Sequence, residues 1–253
     1  MRFARVKKDD AVFFAELDGA MVYRLDAAPY AGGRRDGYKT TLDSVKLLAP
    51  CVPSKVVAVG INYRAHAAEM AHALPEDPII FLKPPTSVIA PGEAILMPPQ
   101  SARVDYEAEV GVVIGRRCRN VPEQEAMDVV LGYTCVNDVT ARDLQKKDGQ
   151  WTRAKGFDTF CPIGPWIVTE FDYEGARVQA ILNGEVKQDA TLAMLINPIP
   201  KLIAFITSVM TLEAGDVIAT GTPAGISGMR QGDIIDIAVE GIGTLRNPVA
   251  ANK

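Results

Sequence analysis

Three carboxylates in this chain have the spacing to hold a cation. Glu107 and Glu109 alternate within Val104–Asp105–Tyr106–Glu107–Ala108–Glu109–Val110–Gly111–Val112–Val113–Ile114, and Asp138 ends a second apolar run, Gly132–Asn137. The first segment reads as a single β-strand, and alternate residues of a strand face the same way. Two like charges side by side in a buried strand repel each other and lose hydration, a cost that a bound cation removes. Ligation by oxygen alone selects a hard ion, Mg²⁺, Mn²⁺ or Ca²⁺, over zinc. The same Glu-x-Glu pattern also describes an ordinary solvated strand face, with Asp105 at the same parity extending the acidic run.

Other residues could act on a molecule bound there. His66 and Glu69 stand at i, i+3 on a predicted helix, where a carboxylate can orient a histidine as a general base, or both can simply be solvated. Lys83 closes an apolar strand before Pro84–Pro85; it either reaches solvent or recognises an anionic substrate. Arg142 follows Asp138 by four residues and can orient its carboxylate, bind substrate, or form a plain surface pair. Lys155 sits between a polar loop and an aromatic segment, where partial burial near a cation would lower its pKa and suit it to proton transfer. Ala219–Thr220–Gly221–Thr222–Pro223–Ala224–Gly225–Ile226 is a loop whose backbone amides could form an anion-binding nest, with Thr222 adding a hydroxyl. No Gly-Lys-Ser/Thr follows, so it is not a phosphate-binding P-loop.

The elements that must place these groups mix strands and helices without a regular βαβ period, which predicts a β-rich α+β fold. Residues 1 to about 50 form a first unit with short strands at Phe3–Val6, Ala11–Leu17 and Met21–Leu25 and a tight Asp18–Gly19 turn. A loop follows at residues 31–37, then a short helix over Leu42–Leu48 capped by Thr40 or Thr41. Val56–Gly60 reads as a strand buried on both faces, Asn62–Ala73 as an Ala-rich helix containing both histidines, and Ile79–Lys83 as another strand. Glu123–Leu131 looks helical, with Pro122 near its start. Beyond Ile163 come strands at Trp166–Val168, Val178–Leu182, Asp216–Thr220 and Ile234–Val239, with a helix at Ile199–Met210 and turn chemistry at Asn183–Gly184.

The 253 residues suffice for one large domain with a small appendage, and a 48% hydrophobic fraction supports a substantial core. A net charge of −4, with basic pairs scattered singly, argues against nucleic acid as a partner. The four cysteines form no C-x-x-C pair, which favours a reducing, cytoplasmic setting over a disulfide framework. No apolar stretch approaches membrane-spanning length, and the N-terminus lacks the apolar core of a signal peptide.

Taken together, six blocks resemble the signature of one family in order and spacing. They are Asn62–Tyr63 with His66 and Glu69, Phe81–Leu82–Lys83–Pro84, Asp105–Tyr106–Glu107–Ala108–Glu109, Asn137–Asp138–Val139–Thr140–Ala141–Arg142–Asp143, Lys155–Gly156–Phe157–Asp158–Thr159 and Thr220–Gly221–Thr222–Pro223–Ala224–Gly225. The family is that of the fumarylacetoacetate hydrolases, and the resemblance spans about residues 51 to 250. It implies a mixed β-sandwich roll over residues 51–253, a small N-terminal domain over 1–50, and a homodimer. It implies Mg²⁺ or Mn²⁺ (Ca²⁺ in crystals) on Glu107, Glu109 and Asp138, a His66–Glu69 base dyad on a lid, and Lys155 assisting protonation. Lys83, Arg142 and Thr222 match positions that contact substrate, whereas Asp105 falls outside the implied metal ligands. The implied substrates are small 2-oxo, 2,4-dioxo or 2-hydroxydienoate acids that react through an enolate. Hydrolytic C–C cleavage is the leading expectation, because it needs the water that the dyad would activate. Isomerisation of the 2-hydroxyhepta-2,4-diene-1,7-dioate type and oxaloacetate decarboxylation are the alternatives, and a non-catalytic metal-binding homologue is a third.

Overall fold

Val56–Gly60 has no polar alternation because both of its faces are covered. It pairs parallel with Val217–Ala219 and antiparallel with Ile79–Lys83. The sheet continues from Val217–Ala219 through Ala108–Ile114, Val130–Asn137 and Cys161–Val168 to the N-terminal strands. The computed structural model describes residues 1–71 and 73–251, so His72 lies outside the described residues. Among these, twelve strands belong to this one sheet. A second sheet of five strands packs on it, ordered Glu185–Thr191, Arg177–Leu182, Ile234–Val239, Gly243–Ala251 and Ile95–Met97.

The alternation of Ala108–Ile114 divides the core. Val110, Val112 and Ile114 join Ala180, Ile235 and Ile237 of the second sheet. Val113 faces the other way, towards Val136, Ile163 and Val217. The expected helix forms as Ile199–Val209 and buries Leu202, Ile203 and Ile206. The β-rich α+β reading therefore holds, and no helix among the described residues is long and apolar enough to cross a membrane.

The N-terminal strands Arg2–Lys8, Ala11–Asp18, Met21–Leu25 and Arg35–Thr41 form a meander. It closes its own small core around Val6, Leu17 and Val22 and joins the main sheet where Arg2 and Phe3 pair with Val168 and Ile167. Three local expectations fail here and beyond. Leu42–Leu48 is not a helix: Leu42–Ser44 makes one 3₁₀ turn, and Lys46–Leu48 pairs with Arg5–Lys7 because sheet pairing half-buries both leucines. The loop expected over residues 31–37 gives way at Arg35 to an edge strand. Glu123–Val129 winds as 3₁₀ rather than α-helix, and Val130 and Leu131 already belong to the next strand.

Two features of the main sheet converge on one spot. The register pairs Ala108 with Asn137, which brings the start of one strand beside the end of its antiparallel neighbour. The Asp138 amide then donates to Glu107 O at 3.0 Å. At the far end of the same region, Asp216 is fully buried and fastens two strands together. Its Oδ1 accepts from Ser54 N (2.9 Å), Ser54 Oγ (2.7 Å) and Lys55 N (3.1 Å), and its Oδ2 from Glu213 N (2.8 Å) and the Lys55 ammonium. Removing one partner of a buried pair leaves the others unsatisfied, so Asp216→Ala should lower unfolding free energy by about 3 kcal/mol in urea titrations. A change below about 0.5 kcal/mol would show that these bonds do not hold the strand entry.

Candidate active site

The strand expected over Val104–Ile114 is broken. Val104–Asp105 pairs with Thr140–Ala141 in a separate two-stranded ribbon, and the main-sheet strand begins only at Ala108. Glu107 thus lies in the break while Glu109 lies in the strand. The two acids converge with Asp138 nonetheless, each offering an oxygen within 4.8 Å of the others. Their exposures of 4%, 1% and 1% rule out a solvated face.

Such a group of acids needs compensating charge, and most of it comes from the chain. Lys155 closes the short helix Thr152–Lys155 and donates from Nζ to Glu107 Oε2 at 2.7 Å and to Asp138 Oδ2 at 2.6 Å. Lys83 donates to Asp138 Oδ1 at 2.5 Å, and Arg142 Nη2 to Glu107 Oε1 at 2.5 Å. Burial pushes the Glu107 carboxyl up, but Lys155 and Arg142 outweigh it and hold the group well below the usual carboxylate range. Glu109 is the exception. Among the described residues no cation bonds it; Oε2 accepts only the Gly221 amide, at 2.8 Å. Burial, then the charges of Asp138 and Glu107, push its carboxyl well above the usual range. Three converging buried oxygen donors, one with an uncompensated charge, fit a hard divalent cation.

Two lysines differ from expectation. Lys83 neither reaches solvent nor lines the cavity. Its three protons go to Asp138 Oδ1, Val139 O (3.3 Å) and Lys155 O (2.7 Å), so it supports Asp138 from outside the cavity. For Lys155, burial alone would lower the pKa, but Asp138 and Glu107 outweigh it and the ammonium is held above its ordinary value. A lowered pKa needed a neighbouring cation to dominate; two carboxylates dominate instead.

His66 lies on the helix Arg64–Glu69, shorter than expected, and is buried. Its Nδ1 is 3.0 Å from Glu69 Oε2. Glu69 Oε1 accepts the Gly225 amide at 3.0 Å. Asn62 ties the start of this segment down by donating to Asn197 O (3.1 Å) and Thr220 O (2.8 Å). Ile61 before the helix and Ala71 after it both take left-handed backbone, at φ +55° and +53°. The Gly-rich loop is not a free anion nest, since the Gly221 and Gly225 amides already serve Glu109 and Glu69. Gly225 itself is required: its φ is +103°, and a Cβ would come within 2.1 Å of Lys187 O.

One cavity of about 30 Å³, room for a water or two, gathers His66, the three acids, Arg142, Lys155 and Thr222. Its remaining wall is largely apolar, from Val59, Ile61, Met70, Phe81 and Trp151. Trp151 meets Phe81 edge-on with centroids 5.1 Å apart and covers Gly60, where a Cβ would lie 2.3 Å from the indole ring. Gln145 also lines the cavity. Gln145 lies on the helix Arg142–Asp148 and Trp151 precedes the helix Thr152–Lys155, and neither carries a signal in the sequence. Burial pushes the thiols of Cys51, Cys135 and Cys161 up to about 12, which removes thiolate chemistry from the choices.

A two-sheet β fold that carries a buried three-carboxylate cluster beside a His–Glu pair defines the class. The chain belongs to the fumarylacetoacetate hydrolase family: residues 55–250 match the fumarylacetoacetate (FAA) hydrolase C-terminal family, and residues 1–50 match the Rv2993c-like N-terminal family. A 5-carboxymethyl-2-hydroxymuconate delta-isomerase from Mycobacterium smegmatis shares 46% identity, with a TM-score of 0.94 and 100% of both chains covered. Oxaloacetate tautomerase YisK of Bacillus subtilis is 40% identical over 253 residues, covering 93% of this chain and 84% of that protein. A maleylpyruvate hydrolase from Sphingobium sp. SYK-6, solved with manganese(II) and pyruvate, is 28% identical, with a TM-score of 0.82 and 100% of both chains covered.

The charge of Glu109 sets a stability test. Its folded pKa lies above its unfolded value, so its penalty on folding grows as pH rises above the ordinary carboxylate range and levels off only once pH passes the folded pKa. Glu109→Gln should therefore raise Tm at neutral pH in the presence of a chelator, by about 2–4 °C for each kcal/mol relieved. The gain should vanish at a pH below the ordinary carboxylate range. A lower Tm at neutral pH would show that Glu109 is compensated after all.

Proposed function

We propose that the protein is a divalent-cation-dependent enzyme that moves a proton at C3 of a 2-oxo acid, interconverting keto and enol forms. The supporting observation is the cavity that His66, backed by Glu69, shares with Glu107, Glu109 and Asp138. Held by those three acids, Mg²⁺ or Mn²⁺ supplies Lewis-acid stabilisation of negative charge on the substrate's oxygens.

The chain's own groups do the rest. The Glu69 carboxylate accepts from His66 Nδ1, which fixes the proton there and leaves Nε2 to take a proton from carbon. Lys155 uses two of its three protons on Glu107 and Asp138, and the third is available to an oxygen that becomes anionic. Thr222 Oγ1 accepts from Gln188 Nε2 at 2.8 Å, so its own hydroxyl proton is available to a carboxylate. The apolar wall around Phe81 and Trp151 excludes water and strengthens each of these interactions.

Hydrolytic C–C cleavage is the second reading. It is favoured by the same His66–Glu69 pair, which could activate water, and by the likeness to a maleylpyruvate hydrolase. Proton transfer is preferred because the two nearer relatives described above are an isomerase and a tautomerase.

Three assays with Mg²⁺ or Mn²⁺ separate the readings: enol–keto conversion of oxaloacetate, deuterium exchange at C3 of pyruvate followed by NMR, and cleavage of an acylpyruvate. Exchange and tautomerisation should outpace cleavage, and the reverse order would favour hydrolysis. His66→Ala should lower kcat/KM for tautomerisation by about 10²–10⁴-fold while leaving Mn²⁺ binding intact. Exchange at the wild-type rate in that variant would remove His66 as the base. Because Glu109 must be ionised to bind a cation, Mn²⁺ affinity should rise with pH above the ordinary carboxylate range and binding should release protons. Calorimetry in two buffers of different ionisation enthalpy reads that release directly.

A further inference from the structure

Asp105 is fully buried, lies outside the cavity lining, and binds two arginines at once. Its Oδ1 accepts from Arg103 Nε at 2.9 Å; its Oδ2 accepts from Arg103 Nη2 at 3.1 Å and Arg142 Nε at 2.9 Å. Arg142 extends the chain inward, donating from Nη2 to Glu107 Oε1 at 2.5 Å and from Nη1 to Gln145 Oε1 at 2.6 Å. The backbone fixes both ends of this relay. Asp105 pairs with Thr140 in the short ribbon, and the Arg142 amide donates to Arg103 O at 2.8 Å.

The geometry has a particular effect on Glu107. A guanidinium and a carboxylate prefer a two-point contact, fork to fork. Here the Nε of Arg142 is held by Asp105 and its Nη1 by Gln145, so Arg142 meets Glu107 through Nη2 alone. Only Oε1 of Glu107 is engaged by arginine, and Oε2 is left to Lys155, which also bonds Asp138 of the acid cluster. Released from Asp105, the guanidinium is free to rotate into a two-point pair with Glu107, which would take Oε2 out of the cluster.

We propose that Asp105 is a positioning residue: by holding Arg142 to a one-point contact, it keeps Glu107 Oε2 available to a divalent cation. This rests on the reading of Glu107, Glu109 and Asp138 as a cation site. Partners one bond removed from a ligand commonly tune metal affinity by about 10–100-fold.

The test is Mn²⁺ binding to the metal-stripped protein, followed by the electron paramagnetic resonance signal of free Mn²⁺. Asp105→Asn should raise the Kd by about 10–100-fold. Arg142→Gln removes the guanidinium that would compete for Oε2, so its Kd should stay within about twofold of wild type. Because Asp105 acts through Arg142, the double variant should be no weaker than Arg142→Gln alone, a non-additivity that general loosening of the fold would not produce. A Kd for Asp105→Asn within about twofold of wild type, or losses that add in the double variant, would overturn the proposal. Should Asp105→Asn fail to fold by circular dichroism, Arg103→Ala decides. The Arg103 side chain is 53% exposed and removable without opening the core, and an unchanged Kd there would also overturn it. No binding by the wild type would remove the cation reading itself, whereas normal wild-type binding with an indifferent Asp105→Asn would remove only the role of Asp105.

Discussion

Four carboxylates, Asp105, Glu107, Glu109 and Asp138, are buried close together, and their mutual repulsion must be offset locally. Two charges 4 Å apart interact by about 4 kcal/mol at an effective dielectric near 20, comparable to the net stability of many domains. Lys83, Arg142 and Lys155 are the answer, and much of the surrounding architecture can be understood as what brings them there. The Ala108–Asn137 register sets Glu107 beside Asp138. The break after Asp105 lets the chain turn so that Asp105 and Glu107 approach Arg142 from two sides. Lys83 sits at the last position of its strand, close enough to bond the Lys155 carbonyl as well as Asp138.

Arithmetic then singles out Glu109. Every other acid in the cluster is bonded to a lysine or arginine, and the Gly221 amide is the sole bond to Glu109 among the described residues. A dipole cannot replace a full charge, and the Glu109 carboxyl is accordingly pushed well above the usual range by burial and by its acidic neighbours. The three acids are therefore unequal: two are partly neutralised by chain residues, and one is not.

Much of this was legible in the residues. Apolar runs bounded by Gly and Pro located Val56–Gly60, Ile79–Lys83 and Ile234–Val239, and Asn183–Gly184 supplies the two positive φ values of a tight hairpin turn. The blocks around Glu107, Asp138 and His66 pointed to groups that do share a cavity. What was not legible depends on long-range partners. Nothing local to Lys46–Leu48 reveals that Arg5–Lys7 will recruit it into a sheet. Alternation alone suggested one strand through Tyr106, because the pairing of Asp105 with Thr140 is set 35 residues away. Lys83 looked like a strand end facing water, and only the folded position of Asp138 shows why an ammonium can be sealed there. Asp105 was set aside as a ligand, and its grip on Arg142 becomes visible only in three dimensions.

The helix that carries His66 is bracketed by left-handed residues, Ile61 and Ala71, neither of them glycine. Such conformations cost of order 1–3 kcal/mol each and are least natural for a β-branched side chain. The helix is held in place against this by the Glu69 bond to Gly225 and the burial of His66 and Ala67. The two bends are thus offset by a small set of contacts, one amide bond and two buried side chains, so the placing of His66 depends on groups that lie outside its own helix.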